Sequence, residues 1–560
     1  MRSLVNPANA NEYARLLVPT SHTSNRVPIF LVLVSWSILA FAIANPNLAG
    51  LYHDDGIYLV CSKSLATGSG YRIISLPERP YQTKYPILLP LVLAPVWWLA
   101  PDFPANIRWF QAVILAFGVL LLFLAYHLFE KVFKLEPIHR WLVIGLLVLN
   151  PALLSASQWI LSEIPYAALS TAALICYETR CRQHGNSRNS LFLLALLSGA
   201  GVLLKAHGFV LPLAFAACLS LERRWGPLLT YILSVGSVLL PWWLWAGQFR
   251  SESYAPLTQY YVSYQSTLAS NHSFSHWAMI IGQNVKYLAN TLDHFLLALV
   301  PILPTGSRVP VVLLVFGIGV ALVWRRISRA LAIYLVLYLS VVLALPFHPY
   351  RHLVPILHLF LGVVTLAVLQ GVTWVVKHSP QIARLRKRPL CQLLLWLPVG
   401  IIFIFHTTRI LMAFEDKPLL LPDYINFYKS RMSGGGFLET NEWIKRNIPA
   451  SDRIASAHDT LYFLYTGRVG TRYWFHNPES YFYPDYLRAQ ANIGDPKVII
   501  QSLKNLKVNW LLKEPVAEDI FAEGRAANAL AKSIVEGDYP EASLAFVSRD
   551  QSHFVYKLQW

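Results

Sequence analysis

Residues 107–129 read IRWFQAVILAFGVLLLFLAYHLF, a continuous apolar run rather than an alternating one. About 20 residues of helix cross a hydrocarbon core, and inside it only helices or closed barrels satisfy their own backbone groups. A continuous run selects the helix. Working outward from it, apolar runs of roughly 15–25 residues recur along the chain. The protein has 560 residues, 55% hydrophobic and only 14% charged, where a soluble domain carries about a quarter charged residues. The sequence therefore reads as an α-helical polytopic membrane protein, with about 11–13 transmembrane helices, interfacial helices in its outer loops and a small C-terminal α/β domain.

The formal charge of +17 does not point to nucleic acid. The basic residues lie in short clusters between apolar runs, as they do in cytoplasmic loops. Cys61, Cys176, Cys181, Cys218 and Cys391 show no metal-type spacing, and no structural disulfide is expected. The run from Val27 follows a polar segment and is read as a retained span rather than a cleaved signal.

Charge orients the spans. Arg2, Arg15 and Arg26 against Glu12 place the N-terminus in the cytoplasm, so span 28–46 delivers the next loop outside. The run 86–100, bracketed by Pro86 and Pro101, is read as interfacial, because a crossing there would strand Lys131, Lys134 and Arg140 outside. Spans follow at 107–129, 141–160 and 164–178, and residues 190–221 cross twice with a turn near Lys205–His207. Then come span 226–246, a second interfacial helix around 277–303, and spans 309–324, 330–346, 353–376 and 390–412. Lys377, Arg384, Arg386, Lys387 and Arg388 mark the cytoplasmic side before the last of these. From about Glu415 the composition turns soluble. Helices near 437–447, 497–506 and 523–536 alternate with strands at 453–457, 508–512, 543–548 and 553–558. Two domains result: a membrane domain, 1–414, and an extracytoplasmic α/β domain, 415–560.

Several polar clusters fall on the outer side. The first loop reads Tyr52-His53-Asp54-Asp55-Gly56-Ile57-Tyr58. Adjacent carboxylates can do general-base work or bind a divalent cation; equally, an Asp can cap the helix that follows. Lys84, in Gln82-Thr83-Lys84-Tyr85-Pro86, suits a lipid phosphate or simple snorkelling to headgroups. Glu163 lies at the end of its span, where an acid is costly and is a functional candidate, or a helix cap. Lys205 and His207 sit at another outer turn. In His348-Pro349-Tyr350-Arg351-His352, Arg351 can grip phosphate through two parallel hydrogen bonds, while interfacial anchoring is the plainer use of Tyr350 and Arg351. The aromatic stretch Tyr254–Tyr264 is a candidate sugar or prenyl lining. An acid to activate a hydroxyl beside cations for a phosphate leaving group suits transfer from a lipid-linked donor.

In this order the motifs resemble those of the GT-C membrane glycosyltransferases, particularly the protein mannosyltransferases and bacterial aminoarabinose transferases. The matching residues are Asp54-Asp55-x-x-Tyr58, Leu65-Ala66-x-Gly68, Lys84-x-Pro86, Ser162-Glu163 and Tyr350-Arg351-x-x-x-Pro355, with Glu442–Pro449 and Tyr465–Arg468 in the outer domain. Lys84 is separated from Pro86 by Tyr85, and Tyr350-Arg351 inverts the commoner order. The resemblance implies a GT-C-like catalytic domain and a polyprenyl-phosphate-linked sugar donor. An acceptor (protein, lipid or glycan) would attack the anomeric carbon with inversion at the outer face of a bacterial inner membrane. It implies Asp54 as the base with Asp55 supporting it, Lys84 and Arg351 on the donor phosphate, and Glu163 as a second acid touching substrate or metal. Tyr58, Lys205, His207, His348 and Tyr350 complete the expected substrate-binding set, and membrane lipid surrounds the whole. The alternatives are a lipid-linked sugar flippase or transporter, or an inactive membrane scaffold. Polar residues near mid-span and repeat symmetry, which a transporter predicts, are not evident.

Overall fold

The computed structural model describes residues 29–45, 49–50, 52–182, 187–250, 254, 256–263, 274–292, 305–345, 349–379, 404, 406–408, 410, 434–473, 495–515 and 522–560. The expected span 390–412 and the 414/415 domain boundary lie largely or wholly outside these residues. Helices α1 (Ile29–Ala42), α2 (Asp54–Ala66), α3 (Leu88–Leu99) and α4 (Ile107–Lys131) open the chain. At about 1.5 Å per residue α3 is far shorter than a bilayer core. Three described helices are long and apolar enough to cross a membrane: Ile107–Lys131, Trp225–Arg250 and Tyr350–Val375. Shorter apolar helices such as Ile29–Ala42, Arg188–Leu204 and Arg329–Ala344 pack with them. The chain is an integral membrane protein.

The expected span 141–160 is broken into α5 (Pro137–Val148) and α6 (Pro151–Ala156). The cause is local. Asn150 accepts the amides of Ala152 at 2.9 Å and Leu153 at 3.2 Å, starting a new helix with Pro151 in its first turn. The short α6 then leads through Trp159–Ser162 into α7 (Glu163–Cys176), which puts an acid on the first residue of a buried helix. Beyond it a π-helical turn, Tyr177–Arg182, precedes α8 (Arg188–Leu204) and α9 (Val210–Leu221). These two meet at Lys205, whose extended backbone (φ −145°, ψ 129°) is the expected turn.

Helices α10 (Trp225–Arg250), α11 (Pro256–Val262), α12 (Phe274–Leu292), α13 (Thr305–Arg326) and α14 (Arg329–Ala344) continue the bundle. The one-turn α15 (Tyr350–Leu353) and a 3-10 turn lead into α16 (Leu357–His378). Where the chain resumes, α17 (Gly435–Asn447), α18 (Asp459–Thr466), α19 (Pro496–Asn505) and α20 (Ala522–Val535) flank five strands. These are β1 (Ile454–Ala455), β2 (Gly470–Thr471), β3 (Trp510–Lys513), β4 (Ala542–Val547) and β5 (Phe554–Leu558), in the order β2-β1-β3-β5-β4. β1 runs parallel to β2 and β3, while β5 is antiparallel to β3 and β4. The strand period of two explains the two cores. Trp510, Leu512 and Val555 pack with α17 and α18, whereas Leu511 and Tyr556 pack with α19 and α20. Sequence reading missed α18 and β2, two short elements without a long apolar pattern.

Helix α18 is pressed onto α2. A Cβ on Gly56 would lie 2.3 Å from Thr460 Oγ1, and one on Gly50, at φ +83°, would lie 2.7 Å from Leu461 Cδ1. Gly56→Ala is therefore expected to destabilise the protein by about 1–3 kcal/mol, the usual cost of overpacking. Adding Thr460→Ala, which removes the clashing hydroxyl, should restore much of the loss in a thermal melt. Equal melting of Gly56→Ala and wild type would contradict this packing.

Candidate active site

Asp54 begins α2, where the helix N-terminus favours a carboxylate. Its Oδ1 accepts a hydrogen bond from Tyr85 Oη at 2.5 Å, and its Oδ2 accepts one from Arg351 Nη2. Burial raises the Asp54 acid, but the Arg351 charge and the bonds from Tyr85 and Arg351 outweigh it. The carboxyl ends below its ordinary range. The preceding residue, His53, has the left-handed φ of +63°, a conformation costing roughly 1 kcal/mol or more that surrounding contacts must hold.

Asp55 does different work. Its carboxylate accepts from the amides of Gly50 (2.6 Å), Tyr52 (3.0 Å) and Gly56 (2.9 Å) and is almost fully buried. These bonds tie it to the backbone of the loop that carries Asp54. Burial, opposed mainly by the Gly50 and Gly56 amides, raises its acid.

Glu163 is buried, with its Oε1 2.6 Å from Lys205 Nζ and 4.0 Å from Arg351 Nε. Arg351, on α15, therefore stands between the two acids. Lys84 is buried in the segment before α3, its Nζ 5.6 Å from the centre of the Tyr85 ring. Gln82 orders that segment, its Oε1 accepting the amides of Lys84 (2.8 Å) and Tyr85 (3.1 Å). Burial pushes the Lys84 ammonium down to about 8, with Asp54 opposing and Arg472 adding to the depression.

The remaining expected residues are more peripheral. Tyr58 packs edge-on to Tyr85 at 5.4 Å, and Tyr350 lies 6.5 Å from Trp159, ring to ring. His207 Nε2 is 3.4 Å from Tyr338 Oη, and its ring is 5.4 Å from that of His352. His348 lies outside the described residues. So the structure gathers Asp54, Lys84, Glu163, Lys205 and Arg351, with Tyr85 added. A second group went unread in the sequence: Asp459, at the start of α18, with His53, Tyr261 and Arg472 around it. His53 lay within the first loop quoted above and Tyr261 within the aromatic stretch 254–264, whereas Asp459 and Arg472 carried no signal.

Among the described residues no group of three or more His, Cys, Asp or Glu side chains is arranged to hold a metal. A divalent cation at the two acids would have to displace Arg351 from Asp54 and Lys205 from Glu163, so this arrangement does not fit one. What it offers is an ionised acid beside three cations, suited to taking a proton from a hydroxyl and receiving charge on a phosphate.

No family model and no curated protein matches the sequence. Solved structures do match the fold. A crystal structure of ArnT from Cupriavidus metallidurans bound to undecaprenyl phosphate superimposes over 94% of this chain and 97% of that one, with a TM-score of 0.58 at 12% identity. The chain has the GT-C fold. The apo oligosaccharyltransferase of Archaeoglobus fulgidus shares it over 96% of this chain and 75% of that one, with a TM-score of 0.53 at 11% identity. At such identity the fold is what is common.

Proposed function

We propose that this protein is an inverting glycosyltransferase that moves a sugar from a polyprenyl-phosphate donor to an acceptor on the extracytoplasmic side of the membrane. The observation that carries this reading is the Asp54–Arg351 pair, joined from segments 297 residues apart, with Lys84 beside it. In the proposed reaction Asp54 takes the proton from an acceptor hydroxyl. The freed oxygen attacks the anomeric carbon from the face opposite the phosphate. The carbon–oxygen bond to phosphate breaks, its electron pair stays on the phosphate oxygen, and polyprenyl phosphate leaves. Arg351 and Lys84 stabilise that developing charge, which matters most in a dry site. The GT-C fold and the undecaprenyl phosphate present in the ArnT structure support a lipid-phosphate donor. Comparing glycolipids and glycoproteins by mass spectrometry in cells with and without the gene tests the reading. Loss of one glycosylated product, restored by wild type and not by Asp54→Asn, is the expected result; identical products in all three would end the proposal.

Lys84 gives a pH signature. The ammonium is the phosphate-binding form, present below its depressed value of about 8 and lost as pH rises through it. Since kcat/KM reports groups of the free enzyme, it is expected to decline above pH 8, by up to about tenfold per unit. Lys84→Arg keeps its charge at all these values and should abolish that decline. An alkaline limb unchanged in Lys84→Arg would assign the decline to another group.

A further inference from the structure

The α/β domain reaches into the site through the carboxyl ends of its parallel strands. β1 leads to His458 and Asp459, and β2 leads to Arg472. In open α/β sheets this edge is where functional groups collect. Here it meets the loop that carries Asp54. The Asp459 side chain is wholly buried, and its Oδ1 accepts a hydrogen bond from Tyr261 Oη at 2.9 Å. Arg472 Nε lies 3.7 Å and His53 Nε2 4.0 Å from that same oxygen, while Oδ2 has no hydrogen-bond partner among the described residues.

Two connections run from this cluster to the reacting groups. His53 directly precedes Asp54 and is held at positive φ, so a contact on its ring helps hold the backbone that aims the Asp54 carboxylate. The Arg472 guanidinium acts on the Lys84 ammonium as a like charge. The segment bearing Lys84 is in turn tied to α11, the helix of Tyr261: Thr83 Oγ1 donates to the Val262 carbonyl at 2.7 Å and Gln82 Nε2 to the Tyr261 carbonyl at 3.3 Å.

We infer that Asp459 is a positioning residue of the reaction centre, acting through His53 on Asp54 and through Arg472 on Lys84. This rests on the function proposed above. Among the described residues, the charged and titratable groups facing Asp459 include Arg472, Tyr261, His458 and His53, and those facing Lys84 include Asp54, Arg472 and Tyr85. With Asp459 ionised, the Arg472 charge is balanced and Lys84 keeps its ammonium. Removing that carboxylate takes away the negative charge 3.7 Å from Arg472 Nε, so the guanidinium opposes the Lys84 ammonium more strongly. A role confined to packing would not move the titration of a lysine carried by another domain.

The test is binding of undecaprenyl phosphate to purified full-length protein between pH 6 and 10, with thermal melting at pH 7. Wild type should bind and lose affinity above pH 8. In Asp459→Asn the alkaline limb should move to lower pH by about one unit, with affinity near pH 8 down about fivefold. Arg472→Gln alone should move the limb upward, and Asp459→Asn with Arg472→Gln should return it toward wild type. Tyr261→Phe, which leaves the charges in place, should not move it. An unmoved limb in both folded single variants, or a shift that the double variant fails to reverse, overturns the inference while leaving the proposed function standing. Wild type that does not bind the lipid phosphate at any pH overturns both.

Discussion

Asp54→Asn is expected to lower kcat about a thousandfold while the protein still folds. A positioned general base contributes roughly 10²- to 10⁴-fold, and the amide cannot accept the acceptor's proton. The replacement is isosteric and can still accept the Tyr85 hydroxyl that now reaches Oδ1 at 2.5 Å, so the fold is expected to survive. The sign of the acid dependence follows from the same contacts. Because Arg351 and Tyr85 hold the Asp54 acid below its usual range against burial, the base stays ionised well into acidic pH. Activity should fall only as pH drops through that depressed value. Single-turnover transfer with the purified variant measures the effect, and activity within about threefold of wild type would remove Asp54 from the proposed reaction.

Arg351→Ala is expected to cost about 10²- to 10³-fold in kcat/KM. Removing one partner of a largely desolvated charge pair typically costs about 2–5 kcal/mol. Here it also leaves two acids, Asp54 and Glu163, without the guanidinium that stands between them. Arg351→Lys restores the charge but not the planar fork, so it should recover only part of the loss. Full recovery with lysine would mean that charge alone matters. Because Asp54 and Arg351 touch, their effects should not add: once Asp54 is Asn, Arg351→Ala should cost markedly less. Additive losses would contradict a shared role.

The class of molecule and most of the residues that gather in the candidate site were legible one segment at a time. Burial of long apolar runs in lipid follows from composition, and Asp54, Lys84, Glu163 and Arg351 each stood out because charge beside an apolar run is expensive. Helix ends at Asn150-Pro151 could also have been read locally, since capping chemistry acts over three or four residues; the expected single span over 141–160 overlooked it. The short α18 left no such trace. Its eight residues carry no periodic pattern long enough to register, and Asp459 looks in sequence like any helix-starting acid.

By itself the sequence determined that this chain lives in a membrane, that its C-terminal part forms a small α/β unit, and which side chains are candidates for proton and phosphate chemistry. Only the tertiary structure decided their pairing: Arg351 with Asp54, Lys205 with Glu163, and Asp459 with the loop of His53. Local propensity and hydrophobicity are set by neighbours within a few residues, whereas an ion pair depends on ångström distances between segments as much as 297 or 406 residues apart, distances that no local pattern encodes.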